Sequence, residues 1–217
     1  MSHLLPLSPE SPNFSPTSKV EDEFILNCRA NEKCKELGID KLHDVEIIRF
    51  FQGAREDALK ATNEIIDLLT WRLSIGYEEV LNGSYPEYCS TIFYLYDVSH
   101  SGIPVLFYKA KNYLPLVDDA DALLKQSVAL MGNIQREYNY SKVILCIDKD
   151  GASTDNVSVD FAKQTISLFT RYFPETLHEL LIFQSNFLLW SFWSLIKPFM
   201  ESDTVQKVIP YSLRYQY

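Results

Sequence analysis

The apolar positions of this chain fall into two regimes. From Val20 to Leu37 they are compatible with a helix, and Val45, Ile47, Ile48, Phe50 and Phe51 follow Asp44, a residue suited to cap a helix that Gly53 would end. Ala58, Ala61, Ile65, Leu68, Leu69 and Arg72 then recur at helical spacing. Beyond Pro86 the texture changes to short, nearly continuous apolar runs at Thr91 to Tyr96, Val105 to Tyr108, Val143 to Ile147 and Leu180 to Phe183. Runs of that kind predict strands buried on both faces. Amphipathic stretches from Asp118 to Tyr138 and from Val159 to Phe173 lie between them. The alternation predicts an α/β fold, with N-terminal helices followed by a mostly parallel β-sheet and crossover helices.

The stretch Leu180 to Met200 is the most apolar in the chain, and Gln184, Ser185, Asn186, Ser191 and Ser194 interrupt it. Its helical part, Phe187 to Met200, would reach only about 21 Å at roughly 1.5 Å per residue, short of a bilayer core of roughly 30 Å. It therefore predicts an apolar helix covering something apolar, rather than a membrane span. Residues 1–19 are rich in Ser and Pro and carry no period, so a disordered arm is expected there. The domain organisation that follows is this arm, a helical subdomain at 20–85 and an α/β domain at 86–217.

Composition narrows the function. A formal charge of −9 opposes a broad grip on nucleic-acid backbones or anionic bilayers. Cys28, Cys34, Cys89 and Cys146 form no CxxC pair, so reduced thiols and a cytoplasmic location are expected. Pro6, Pro9, Pro12 and Pro16 break any leader-like apolar run. Catalysis has little to stand on: His3, His43, His100 and His178 are scattered, and neither a nucleophile elbow nor a glycine-rich phosphate loop occurs. Asp118, Asp119 and Asp121 read as charge at a helix N-terminus rather than a metal site. No catalytic residue, metal or cofactor is expected.

Several pieces, in order, resemble the CRAL-TRIO family of lipid-binding and lipid-transfer domains over roughly residues 44 to 211. They are Ile47-Ile48-Arg49-Phe50-Phe51, Trp71-Arg72, the turn Asp97 to Val105 with Gly102 and Pro104, and the turn Asp148 to Gly151. Most specific is the run Tyr172-Phe173-Pro174-Glu175, Leu177, Leu181 to Phe183, and Trp193 to Ile196 before Lys197-Pro198-Phe199. The resemblance implies an enclosed pocket for a lipid, no enzymatic activity, a monomer, and transient peripheral contact with membranes. It implies that the stretch with Phe187, Leu188, Trp190, Phe192, Trp193, Ile196 and Phe199 is a movable gate helix over the pocket.

The resemblance also puts Glu175, Thr204 and Lys207 on positions that phosphoinositide-binding relatives use for the head group. An arginine usually completes that group; here Ala54 takes its slot and Arg55 follows. Val143, Leu145 and Cys146 replace the small hydroxyl residues of choline-lipid binders, which leaves a phosphatidylinositol-like phospholipid or another small lipophile as ligand. Gln184 and Asn186 depart from the family's usual Asn and Pro, and Tyr217 falls short of the family's usual end, so an incomplete C-terminal edge is expected. The alternative is an interaction module that docks on membranes or on a protein without transferring lipid.

Overall fold

In a computed structural model, the described residues are 18–183, 194–200 and 202–211. The first helix, α1 (Lys19–Ala30), starts where the Ser18 hydroxyl accepts the Glu21 N–H and the Glu21 carboxylate accepts the Ser18 N–H. The single helix expected from Val20 to Leu37 is two. Asn31 is extended, ends α1, and its side-chain oxygen accepts the Cys34 N–H to open α2 (Glu32–Glu36). A local side-chain to backbone bond thus wins over helical continuity.

Helix α3 (Asp44–Gly53) is capped by His43 rather than by Asp44: His43 Nδ1 accepts the Val45 N–H and the Glu46 carboxylate accepts the His43 N–H. Asp44, one residue inside, holds Arg29 of α1 at 2.5 Å. Helix α4 (Ala58–Ile75) ends at Gly76, whose φ of +62° suits a glycine, and α5 (Tyr77–Leu81) follows. Phe24, Cys28, Ile47, Ile48, Phe51, Ile65 and Leu68 form the core that these helices share.

The run Thr91 to Tyr96 is split between two elements. Helix α6 (Glu87–Ile92) turns Cys89 and Ile92, three residues apart, into the interior, and β1 (Phe93–Val98) starts only afterwards. Strand β1 pairs antiparallel with β2 (Pro104–Lys109). Strands β2, β3 (Val143–Asp148), β4 (Leu177–Phe183) and β5 (Val208–Tyr211) are parallel, in the spatial order β1-β2-β3-β4-β5. The crossovers are α7 (Ala120–Glu137), α8 (Val159–Tyr172) and the segment ending in α9 (Ser202–Gln206). The sequence reading contained neither β5 nor α9, whose four and five residues are too short to carry a period.

Register sorts the strand side chains into two faces. Leu95, Leu106, Leu145, Leu180 and Val208 form one row, and Tyr94, Phe107, Cys146, Leu181 and Ile209 form a row on the opposite face. The expectation of burial on both faces is corrected by what stands against each. One face borders a hollow; on the other, Phe107 packs on Tyr94, Tyr96 and Phe183, with Tyr96 64% exposed. A continuous apolar run therefore records a partly exposed aromatic face here as well as the floor of a hollow.

The helices before β1 are fixed to the rest by side chains from α3, α4 and α5. Trp71 stacks on Tyr172 at 4.0 Å, Asp67 pairs with Arg171 at 2.6 Å, and Glu78 pairs with Arg136 at 2.6 Å. Arg49, buried, reaches from α3 to Gln135 at 2.5 Å, to Thr176 at 3.3 Å and to the Tyr140 carbonyl.

Candidate binding cavity

Between the sheet and α8 lies a cavity of about 1190 Å³, above the roughly 300–1,000 Å³ of ordinary small-molecule sites. Its floor is the inner face of the sheet, with Phe93, Leu106, Tyr108, Leu145, Ile147 and Ile182. Phe161, Ile166, Phe169 and Phe173 of α8 and the turn after it face that floor, and Met131 of α7 borders it. Leu145 and Ile147 are only partly buried although they sit in the central strand. Their unfilled contact is the cavity itself.

The polar groups gather at the ends of the strands. Before β3, β4 and β5 stand Lys142, Glu175 and Lys207: Lys207 Nζ lies 3.3 Å and Lys142 Nζ 4.0 Å from Glu175 Oε2. The Lys207 N–H donates to the Thr204 carbonyl at 3.1 Å, which closes the turn from α9 into β5. Glu175 sits at a φ of +51°, in the left-handed region that a non-glycine residue rarely takes. Arg49 feels the charges of Glu46 and Glu175, yet burial draws its guanidinium down to about 10, still protonated at neutral pH. Burial and then the charge of Lys207 lower the Lys142 ammonium. Two ammonium groups thus flank the Glu175 carboxylate, and Glu46 is paired with Arg72 at 2.5 Å.

Of the residues singled out from the sequence, Glu175, Thr204 and Lys207 come together at this corner and border the cavity. Arg55 is exposed at a φ of +57°, in the turn after α3, and is not among the residues lining the cavity. Ile196 and Phe199 border it, together with Leu195 and Met200. Lys163 of α8 stands 4.6 Å over the Phe199 ring. Phe187, Leu188, Trp190, Phe192 and Trp193 lie outside the described residues. Sequence reasoning missed Lys142 as a member of the corner and Arg49 as the buried charge behind it. Arg49 entered only as part of a motif, and nothing local in the sequence brings Lys142 to residues 33 and 65 positions later.

At the opposite, C-terminal ends of β2 and β3 the cavity meets Tyr113, Lys149, Ser153, Asn156, Val157 and Ser158. Burial lowers the Lys149 ammonium. Asp119 caps α7 by accepting the N–H groups of Asp121 and Ala122, which agrees with reading that acidic cluster as helix N-terminal charge. No helix among the described residues is long and apolar enough to cross a membrane.

The family model described as CRAL/TRIO domain matches residues 88–213. A curated CRAL-TRIO domain-containing protein of Schizosaccharomyces pombe is 23% identical over 180 residues, which cover 76% of this chain and 51% of the relative. The chain therefore spans about half the length of the curated relative it matches. The crystal structure of Sfh5 superposes with a TM-score of 0.71 at 15% identity, covering 90% of this chain and 81% of that one.

Proposed function

The chain belongs to the CRAL/TRIO family of lipid-binding and lipid-transfer domains, and from that premise we propose that it holds one membrane lipid in the cavity beneath α8 and passes it between membranes. The observation that carries this reading is the hollow of about 1190 Å³ over an apolar sheet face. Left dry, it would forgo the dispersion contacts that a packed core makes. Filled with water, it would leave most molecules without polar partners. Acyl chains answer both difficulties. A two-chain lipid crossing water bare would expose roughly thirty methylenes at about 0.8 kcal/mol each, so enclosure is what makes transfer feasible.

The corner of Glu175, Thr204 and Lys207 is the proposed seat of a phosphorylated head group of phosphatidylinositol type. Lys207, which lines the cavity, supplies the positive charge there, and Lys142, 4.0 Å from the same Glu175 carboxylate, stands beside it just outside the lining, as Arg55 is outside it too. A phosphate there would meet ammonium groups able to form charge-assisted hydrogen bonds, in a protein whose overall charge is −9. Phe187, Leu188, Trp190, Phe192 and Trp193 are the proposed gate. Ile196 and Phe199, at its far end, already border the hollow.

Extraction of radiolabelled lipid from vesicles tests the head-group seat. Replacing Lys142 and Lys207 together with Ala is expected to lower uptake of phosphatidylinositol by about tenfold to a hundredfold, with the far-ultraviolet spectrum unchanged. Uptake equal to that of the unaltered protein would remove the head group from that corner. Phe192→Asp is expected to abolish transfer while leaving the fold intact.

A further inference from the structure

We infer that the loop Leu114-Pro115-Leu116-Val117 is a membrane-inserting wedge, docking the protein on a bilayer with the cavity's Glu175 and Lys207 corner turned away from it. The loop leaves β2 through the 3-10 turn Ala110–Asn112 and returns as α7. Leu116 is fully exposed and Val117 is 78% exposed, while their neighbour Tyr113 is buried at 2% and lines the cavity. The cavity wall and the protruding tip are therefore consecutive in the chain. Val157, 42% exposed, borders the cavity from the adjoining loop, where Asn156 Nδ2 donates to the Lys111 and Tyr113 carbonyls.

Hydrogen bonds within the loop hold it as a tight turn. Asp118 Oδ2 accepts the Leu114 N–H at 2.7 Å, and the Leu114 carbonyl accepts the N–H groups of Val117 and Asp118, both at 2.8 Å. Pro115 has no N–H to satisfy. Apolar side chains on a tight turn whose remaining N–H and carbonyl groups stay at the depth of the hydrated head groups are what an interfacial segment needs. The Tyr88 hydroxyl fixes the base of the loop by accepting the Asp119 N–H at 3.0 Å, and Asn112 Nδ2 donates to the Thr91 carbonyl at 2.8 Å. The tip is pre-ordered, so insertion costs little additional chain entropy.

The occupant is a lipid surface because of polarity. Lys142, Glu175 and Lys207 precede the parallel strands β3, β4 and β5, whereas the tip and Lys149 follow the ends of β2 and β3. Strands of six residues separate these ends by roughly 20 Å. With the tip in the bilayer, the polar corner points to water and the apolar floor to the acyl chains, matching the orientation of a lipid in its own leaflet. Asp118, Asp119 and Asp121 beside the tip oppose attraction to anionic lipid, so insertion is apolar in origin and insensitive to salt. This docking mode rests on the carrier reading above.

Flotation of the full chain with phosphatidylcholine vesicles tests it. The double substitution Leu116→Asp and Val117→Asp is expected to reduce vesicle binding by about tenfold or more. Leu59→Asp, altering a 74% exposed leucine on α4, is expected to leave binding unchanged. Binding of the unaltered protein should persist in high salt, and a tryptophan placed by Leu116→Trp should be quenched by brominated acyl chains. Equal binding by the double variant, binding lost in high salt, an unquenched Trp, or no vesicle binding at all would each overturn the wedge. So would a dimer that the double variant dissolves, since the tip would then seat a second copy. Lipid content of the same preparations is read separately. A lipid-free protein that still floats through its tip would refute the carrier reading and spare the docking surface.

Discussion

Arg49 is the residue on which most of the junction between helices and sheet converges. Its guanidinium joins α3 to the end of α7 through Gln135, to the loop before β3 through the Tyr140 carbonyl, and to Thr176 before β4. Arg49→Ala would orphan these buried acceptors, each worth about 1–3 kcal/mol. We expect it to lower the unfolding free energy in urea by about 3 kcal/mol or more; a loss below about 1 kcal/mol would contradict the junction. The cysteines make a separate prediction at this scale. Burial raises all four thiols, Cys146 to about 11, so at pH 7.5 little thiolate is present and access is restricted. Maleimide should label the native protein slowly at all four sites and rapidly in urea. Rapid native labelling of Cys146 would mean that the outer face of the sheet opens.

At the scale of elements, α5 and α7 approach so closely that a side chain at Gly132 has no room. A Cβ there would stand 2.5 Å from Leu81 Cδ2 and 2.5 Å from the Tyr77 hydroxyl. Gly132→Val is therefore expected to lower the unfolding free energy by about 1–3 kcal/mol, and full stability would contradict the contact. Periodicity made the elements with enough turns legible: α3, α4, α7 and α8 lie within a few residues of where the sequence puts them. It did not reveal the break at Asn31, because a single side-chain cap leaves the apolar spacing on either side intact. Nor did it separate α6 from β1, since Ile92 and Phe93 are both buried and both apolar while the backbone changes conformation between them.

For the whole molecule, the sequence carried the fold class and the polar corner unequally. Strand-like runs alternating with amphipathic stretches suffice for a mostly parallel sheet, whereas a hollow leaves no mark in sequence. Leu145 and Ile147 read the same whether they meet another side chain or empty space. Glu175, Thr204 and Lys207 were legible through resemblance to a family motif. Lys142 joins them only through the register of parallel strands, and Arg49 stands behind them only through the packing of α3.

The central claim is that the space above Leu145 is occupied by one lipid. Native mass spectrometry of the purified protein, unaltered and as Leu145→Trp, tests it most directly. The unaltered chain is expected to carry a single added lipid mass, and Leu145→Trp to lose it while keeping its melting temperature, because the indole fills a hollow rather than a packed core. A bare polypeptide mass in the unaltered protein, or a tryptophan that destabilises the fold while leaving lipid bound, would contradict the account.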